Sequence, residues 1–97
     1  MKSLPNSILT PTTVGIDVAK ATLDIAIGMD ASVPLTLSND AKGIDSLLTK
    51  LADYQIALIV LEATGGLEIA VACALQAAEY AVVIINPLSL IHISEPT

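Results

Sequence analysis

Two acidic residues that end apolar runs constrain this chain most strongly. Asp17 follows Val14-Gly15-Ile16, and Glu62 ends the run 56–61. An unpaired carboxylate buried among such side chains is unfavourable, so each acid is expected to emerge from the end of a strand. If the two strands are neighbours in one sheet, the carboxylates converge and repel each other, and a divalent cation with oxygen ligands relieves that repulsion. The pattern therefore predicts a metal site of the kind found in metal-dependent nucleases.

The apolar runs predict seven elements in the order strand, strand, strand, helix, strand, helix, strand. Strands are predicted over 12–18, 21–28 and 33–38, with short connections typical of an antiparallel meander. Helical spacing predicts a helix over 40–53, and the glycine pair 65–66 precedes a second helix over about 67–79. The continuous apolar run 56–61 is typical of a strand covered on both faces, and 81–85 forms the fifth strand.

The order of these elements predicts the topology of the sheet. A right-handed crossover through the first helix lays the fourth strand parallel to the first. The predicted fold class is therefore α/β, with a mixed five-stranded sheet of order 3-2-1-4-5 and two helices, which is the plan of a partial ribonuclease H-like fold. In that order Asp17 and Glu62 lie on adjacent strands near the same end, close enough to share a metal ion.

Four short segments carry a resemblance to a known family. The segments 15–20 (Gly-Ile-Asp-Val-Ala-Lys), 23–26, 61–68 and 82–87 resemble motifs of the insertion-sequence 110 family of DEDD-type transposases, whose first domain is RuvC-like. The resemblance covers roughly residues 13–87. It implies that Asp17 and Glu62 are catalytic and metal-binding, as the first two members of an acidic tetrad that holds Mg²⁺. It also implies an oligomeric parent protein that cuts and rejoins DNA with a guide RNA.

The end of the chain departs from the family pattern. The remaining two acids and the nucleophilic serine of that family are absent, and residues 88–97 resemble the translation of a sequencing-library adapter. We interpret residues 88–97 as a non-native tail, with an ordinary apolar tail as the alternative. The expected organisation is a flexible N-terminal segment (1–12), the N-terminal part of a RuvC-like transposase domain (13–87) and this tail. Such a fragment is expected to be inactive alone.

Composition limits the partners of the chain itself. The net charge is -6, with four lysines and no arginine, and the only aromatic residues are two tyrosines. Since non-specific affinity for nucleic acid comes mainly from Lys and Arg, we expect weak or no nucleic-acid binding by this chain alone. Polar residues interrupt the apolar stretch 69–93, so no membrane span is predicted, and no signal sequence is expected because Pro5, Asn6 and Pro11 stand in place of an apolar signal core. We therefore expect a cytoplasmic location, and the family resemblance implies a bacterial one.

Several individual residues also have simple structural interpretations. Asp17 could be a solvent-facing strand-end acid, and Glu62 could interact with the dipole of the following helix. The sequence favours an exposed edge acid for Asp24, on the face opposite Asp17 in the absence of a bulge. It favours a solvated turn lysine for Lys20, with a phosphate contact as the alternative. Cys73, surrounded by small apolar residues, is predicted to be a buried apolar residue.

Two other functions compete with the transposase hypothesis. An actin-like ATP-dependent sugar or acetate kinase also opens with a Gly-Ile-Asp strand and a hairpin. Such kinases need Gly, Ser or Thr directly after the aspartate to admit a phosphate, whereas this chain has Val18-Ala19-Lys20. The third hypothesis is an inactive transposon remnant without enzymatic function.

Overall fold

The computed structural model describes residues 11–28, 35–63 and 65–85 of the chain. Within these ranges the elements follow the predicted order. They are β1 (Thr12–Val18), β2 (Thr22–Ile27), β3 (Leu35–Ser38), α1 (Ala41–Leu51), β4 (Ile56–Glu62), α2 (Ile69–Ala77) and β5 (Val82–Ile85). Most of the predicted N-terminal segment 1–12 and all of the predicted tail 88–97 lie outside the described residues.

The strands form one mixed sheet in the order β3-β2-β1-β4-β5, which confirms the predicted order. Strands β1, β2 and β3 pair as an antiparallel meander. Strand β4 lies parallel to β1, and β5 lies parallel to β4. The carboxyl ends of β1, β4 and β5 therefore meet at one edge of the sheet, where the acids Asp17 and Glu62 lie.

Buried and exposed residues alternate along the strands, so the sheet has one face covered by the helices and one open face. In β1, Val14, Ile16 and Val18 are buried, whereas Asp17 is exposed. The buried strand residues join the apolar sides of both helices in a single core. The helical part of this core consists of Ile44, Leu47 and Leu51 from α1 and Val71, Ala72 and Leu75 from α2. Among the described residues, both helices pack on the same face of the sheet, so β4 is covered on one face only.

An irregularity interrupts the pairing of β1 with β4 near its start. Thr12 pairs with Ile56, but Thr13 pairs with Leu58, so Ala57 is an extra residue on the β4 side. Beyond this point the parallel register continues without a break to the pair formed by Asp17 and Glu62. Such a bulge adds one residue to one strand of a pair and is rare in parallel pairs.

The start of α1 is tied closely to the end of β3. Asp40 is the N-cap residue, and its Oδ1 accepts hydrogen bonds from the Gly43 N–H (2.8 Å) and the Ser38 hydroxyl (2.7 Å). These two bonds, the Gly43 bond first, lower the pKa of Asp40 below its ordinary value of 3.8. A Cβ atom on Gly43 would overlap the carbonyl oxygen of Ser38, so only glycine permits this close approach of helix and strand.

Helix α2 has a single strongly polar residue, Gln76, and the structure corrects the prediction for its cysteine. Val71 and Leu75 face the core, whereas Cys73 lies on the opposite side and is exposed, together with Ile69 (61% exposed). Without a polar stripe, the sequence could not indicate which side of the helix faces the sheet. Neither helix in the described part of the chain has the length and apolar character needed to cross a lipid bilayer.

Candidate active site

The two predicted site residues are brought together by the central strands of the sheet. Asp17 of β1 and Glu62 of β4 are direct register partners in the parallel pair. Paired residues on neighbouring strands project to the same face, and both of these side chains are exposed on the face without helices. The apolar neighbours Ile16 and Leu61 are also paired, and they point into the core. The alternation that builds the core thus directs both carboxylates to the open face.

Asp24 adds a third carboxylate to the same row. It is the register partner of Asp17 on the other side, across the antiparallel pair of β1 and β2. The Oδ1 atom of Asp24 accepts a hydrogen bond of 2.7 Å from the hydroxyl of Thr36, its own partner on β3. The row therefore runs Thr36, Asp24, Asp17, Glu62 across four strands, with Asp17 between two like charges.

This position of Asp24 corrects the sequence interpretation. Asp24 is exposed, as predicted, but β2 is an interior strand of the sheet, and Asp24 shares a face with Asp17. In a hairpin the face is decided by which residues pair across the turn, and the pairing of Val18 with Leu23 makes Asp17 and Asp24 the next pair. The number of residues between the two aspartates does not reveal this, because some of those residues form the turn and do not alternate between the two faces of the sheet.

The acidic row borders a surface depression of about 360 Å³ on the open face. Beside the three carboxylates it is lined by the small or apolar residues Gly15, Ala26 and Val60 and by the backbone of Ile16, whose side chain is buried in the core. A Cβ atom on Gly15 would have no heavy atom of the described residues within 4 Å, apart from those of Gly15 itself and the two residues that flank it, which shows how open this part of the sheet is. The site thus joins an apolar floor to a negatively charged end.

The donor set suits a hard divalent cation. Asp17 and Glu62 each offer carboxylate oxygens from adjacent strands, and Mg²⁺ commonly binds through one or two carboxylates while retaining water ligands. Within ranges 11–28, 35–63 and 65–85, no group of three or more acidic, His or Cys side chains is arranged to hold a metal ion. The pair therefore fits part of a magnesium site, and Asp24 is an acidic neighbour of that pair.

The fold and the acid pair define an α/β protein with a carboxylate site on the open face of a mixed sheet. Residues 14–96 match the profile of a family described as transposase, the DEDD type of insertion sequence 110. The chain belongs to this family. The match confirms the resemblance drawn from the sequence motifs and gives no support to the kinase alternative. A search of curated proteins found none with significant similarity.

Proposed function

We propose that Asp17 and Glu62 supply two of the carboxylates of a Mg²⁺-dependent site for DNA cleavage and strand exchange. The observation that carries this proposal is their direct pairing on adjacent parallel strands of the open face. Membership of a transposase family supports DNA as the partner. The strand order is also consistent with a ribonuclease H-like fold, which we propose for this domain.

In this proposal each residue of the site has a defined task. The carboxylates of Asp17 and Glu62 hold the cation, and Mg²⁺, when bound, neutralises charge on the reacting phosphate and helps to orient the attacking oxygen. Gly15 and Ala26 leave room above the sheet, because neither carries a side chain beyond Cβ. Thr36 holds one oxygen of Asp24 and so limits the rotation of that carboxylate beside Asp17.

We further propose that catalysis needs acidic residues in addition to Asp17 and Glu62, so the chain alone does not cleave DNA. Two carboxylates make at most half of the tetrad that the family resemblance implies. A guide RNA, an oligomeric assembly and action in the bacterial cytoplasm belong to the same proposal. Metal-dependent cleavage by this chain above the background of an inactive control would contradict the part about catalysis.

The metal role can be tested directly with Mn²⁺, a paramagnetic ion that prefers the same oxygen ligands as Mg²⁺. In an amide NMR spectrum we expect Mn²⁺ to broaden the signals of Asp17 and Glu62 first, and we expect Mg²⁺ to reverse the effect by competition. The variants Asp17→Asn and Glu62→Gln should each weaken this broadening by about tenfold in metal concentration, since each removes a charged ligand.

The matched control is Asp53→Asn. Asp53 is an exposed acid that follows α1, at the opposite end of the sheet from the acid pair, so its replacement removes one negative charge away from the site. It should leave the Mn²⁺ response nearly unchanged. Broadening centred on other residues would refute the proposed site. An equal weakening of the broadening in all three variants would show that the ion responds to overall charge and would refute it as well.

A further inference from the structure

The turn between β1 and β2 connects the strands that carry Asp17 and Asp24, and Lys20 lies within it. The turn consists of Ala19, Lys20 and Ala21, and the Ala19 N–H donates to the Thr22 carbonyl oxygen at 2.9 Å. Lys20 is exposed. Three residues of extended chain span at most about 10 Å, so the Lys20 backbone lies within that distance of Asp17. A cationic residue therefore lies in the turn that follows Asp17 and precedes Asp24.

This turn is fixed from outside by one residue. The side-chain amide of Asn39 donates a hydrogen bond of 2.8 Å to the Ala19 carbonyl oxygen, and the Asn39 backbone N–H donates one of 2.9 Å to the Ala21 carbonyl oxygen. The two bonds lie on either side of Lys20. The turn itself contains none of the Gly, Pro, Asn or Asp residues that favour tight turns. Asn39 thus stabilises a turn whose own residues do not favour a tight turn.

The other lysines in the described part of the chain occupy different positions. Lys42 lies in the first turn of α1, where its charge contributes to the lowered pKa of Asp40. Lys50 lies in the last turn of α1, which leads back to the start of β4 and so to the opposite end of the sheet. Lys20 is thus the described lysine whose turn directly joins two strands of the acidic row.

We propose that Lys20 contacts a backbone phosphate of the DNA strand bound at the acidic row, and that Asn39 is the positioning residue that holds this lysine in place. This inference rests on the proposed function, since it names a further residue of the same site. A lysine provides a point charge for a phosphate oxygen. From the turn that joins two strands of the acidic row, its positive charge also reduces the repulsion that a polyanion would meet at this end of the sheet.

The test measures weak binding of a single-stranded thymidine oligonucleotide by amide NMR at low salt with Mg²⁺ present. We expect the largest shift changes at Ala19, Lys20 and Ala21. Lys20→Ala should weaken binding severalfold and reduce the slope of log affinity against log salt by about 0.7, the value for one phosphate contact on a single strand. Lys20→Arg should retain binding, and Lys50→Ala, the matched control, should behave like the unmodified chain.

Asn39 is tested by a double variant. Asn39→Ala should weaken binding, but Asn39→Ala combined with Lys20→Ala should bind no more weakly than Lys20→Ala alone, because Asn39 acts through Lys20. A role of Asn39 limited to folding would instead lower the melting temperature and weaken binding additively. Additive losses would therefore overturn the positioning role.

The remaining outcomes separate this inference from the proposed function. Equal losses in Lys20→Ala and Lys50→Ala, or no loss in Lys20→Ala, would overturn the lysine contact while leaving the metal site intact. The opposite result is also possible: the oligonucleotide binds in a Lys20-dependent way, but Mn²⁺ does not broaden the Asp17 and Glu62 signals. That result would refute the metal role and support the lysine contact.

Discussion

Asp17 and Glu62 stand directly opposite each other on β1 and β4, and on its other side Asp17 stands opposite Asp24. Like charges in directly opposed positions destabilise a sheet. The acidic row is therefore a place where the fold gives up stability in the absence of a cation.

Without divalent metal and at low salt, Asp17→Asn should raise the free energy of unfolding by roughly 0.2–1 kcal/mol, because it removes repulsion with two neighbours. Asp24→Asn and Glu62→Gln should each have a smaller effect, since each loses repulsion with Asp17 only. Urea denaturation measures all three, with Asp53→Asn as the control for net charge. A destabilised Asp17→Asn chain would show that the carboxylate makes favourable contacts in the metal-free protein.

Gly43 and Gly15 should respond in opposite ways to the same substitution. Gly43→Ala places a methyl group onto the backbone of Ser38 and should lower the free energy of unfolding by about 2–4 kcal/mol. Gly15→Ala places the methyl group in open space and should be neutral or stabilising by up to roughly 1 kcal/mol, since glycine is unfavourable in a strand. Thermal and urea unfolding of both variants provide the measurement. A tolerated Gly43→Ala would mean that α1 can shift away from β3.

The lowered pKa of Asp40 predicts a specific dependence of stability on pH. Because the pKa lies below 3.8 in the folded protein, ionised Asp40 stabilises the fold fully above that value. This contribution is lost as the pH falls from about 3.8 through the folded pKa. In Asp40→Asn, which can still accept the Gly43 hydrogen bond but does not titrate, the melting temperature should fall less over this range. Parallel curves for the two proteins would contradict the assignment.

Glu79 offers a stabilising substitution. It follows α2 with a φ of 71°, a left-handed conformation that is unfavourable for residues other than glycine. Glu79→Gly should therefore raise the free energy of unfolding by about 1 kcal/mol. Ala77→Gly, at the last position of the same helix, serves as the control and should lower it by up to about 1 kcal/mol. If both variants lose stability, the Glu79 side chain makes a contact that outweighs its backbone strain.

Much of this fold could be predicted from the sequence, because the apolar runs and the polar or glycine residues between them indicate the same boundaries for the helices and strands. The apolar runs that end in Asp17 and Glu62, together with the helix that connects the meander to β4, are enough to predict that the two acids lie on adjacent strands. The face of Asp24 was not predictable, because it depends on how many residues the β1–β2 turn consumes. The exposure of Cys73 was not predictable either, because the one polar residue of α2, Gln76, does not make a polar stripe that would indicate which side faces solvent. The anchoring of Lys20 by Asn39 joins two segments whose contact depends on the completed meander.

The extra residue Ala57 has a consequence at the other end of the strands. A regular ladder continued from the pair Thr12 and Ile56 would set Asp17 beside Leu61, a core residue, and would leave Glu62 one step out of phase. The extra residue shifts the register by one position, far from the carboxylates. Because of this shift, the residues of β4 on the open face pair with the residues of β1 on that face. The irregularity at Ala57, at the start of β4, is thus what places Asp17 and Glu62 on the same face of the sheet at the other end of the strands.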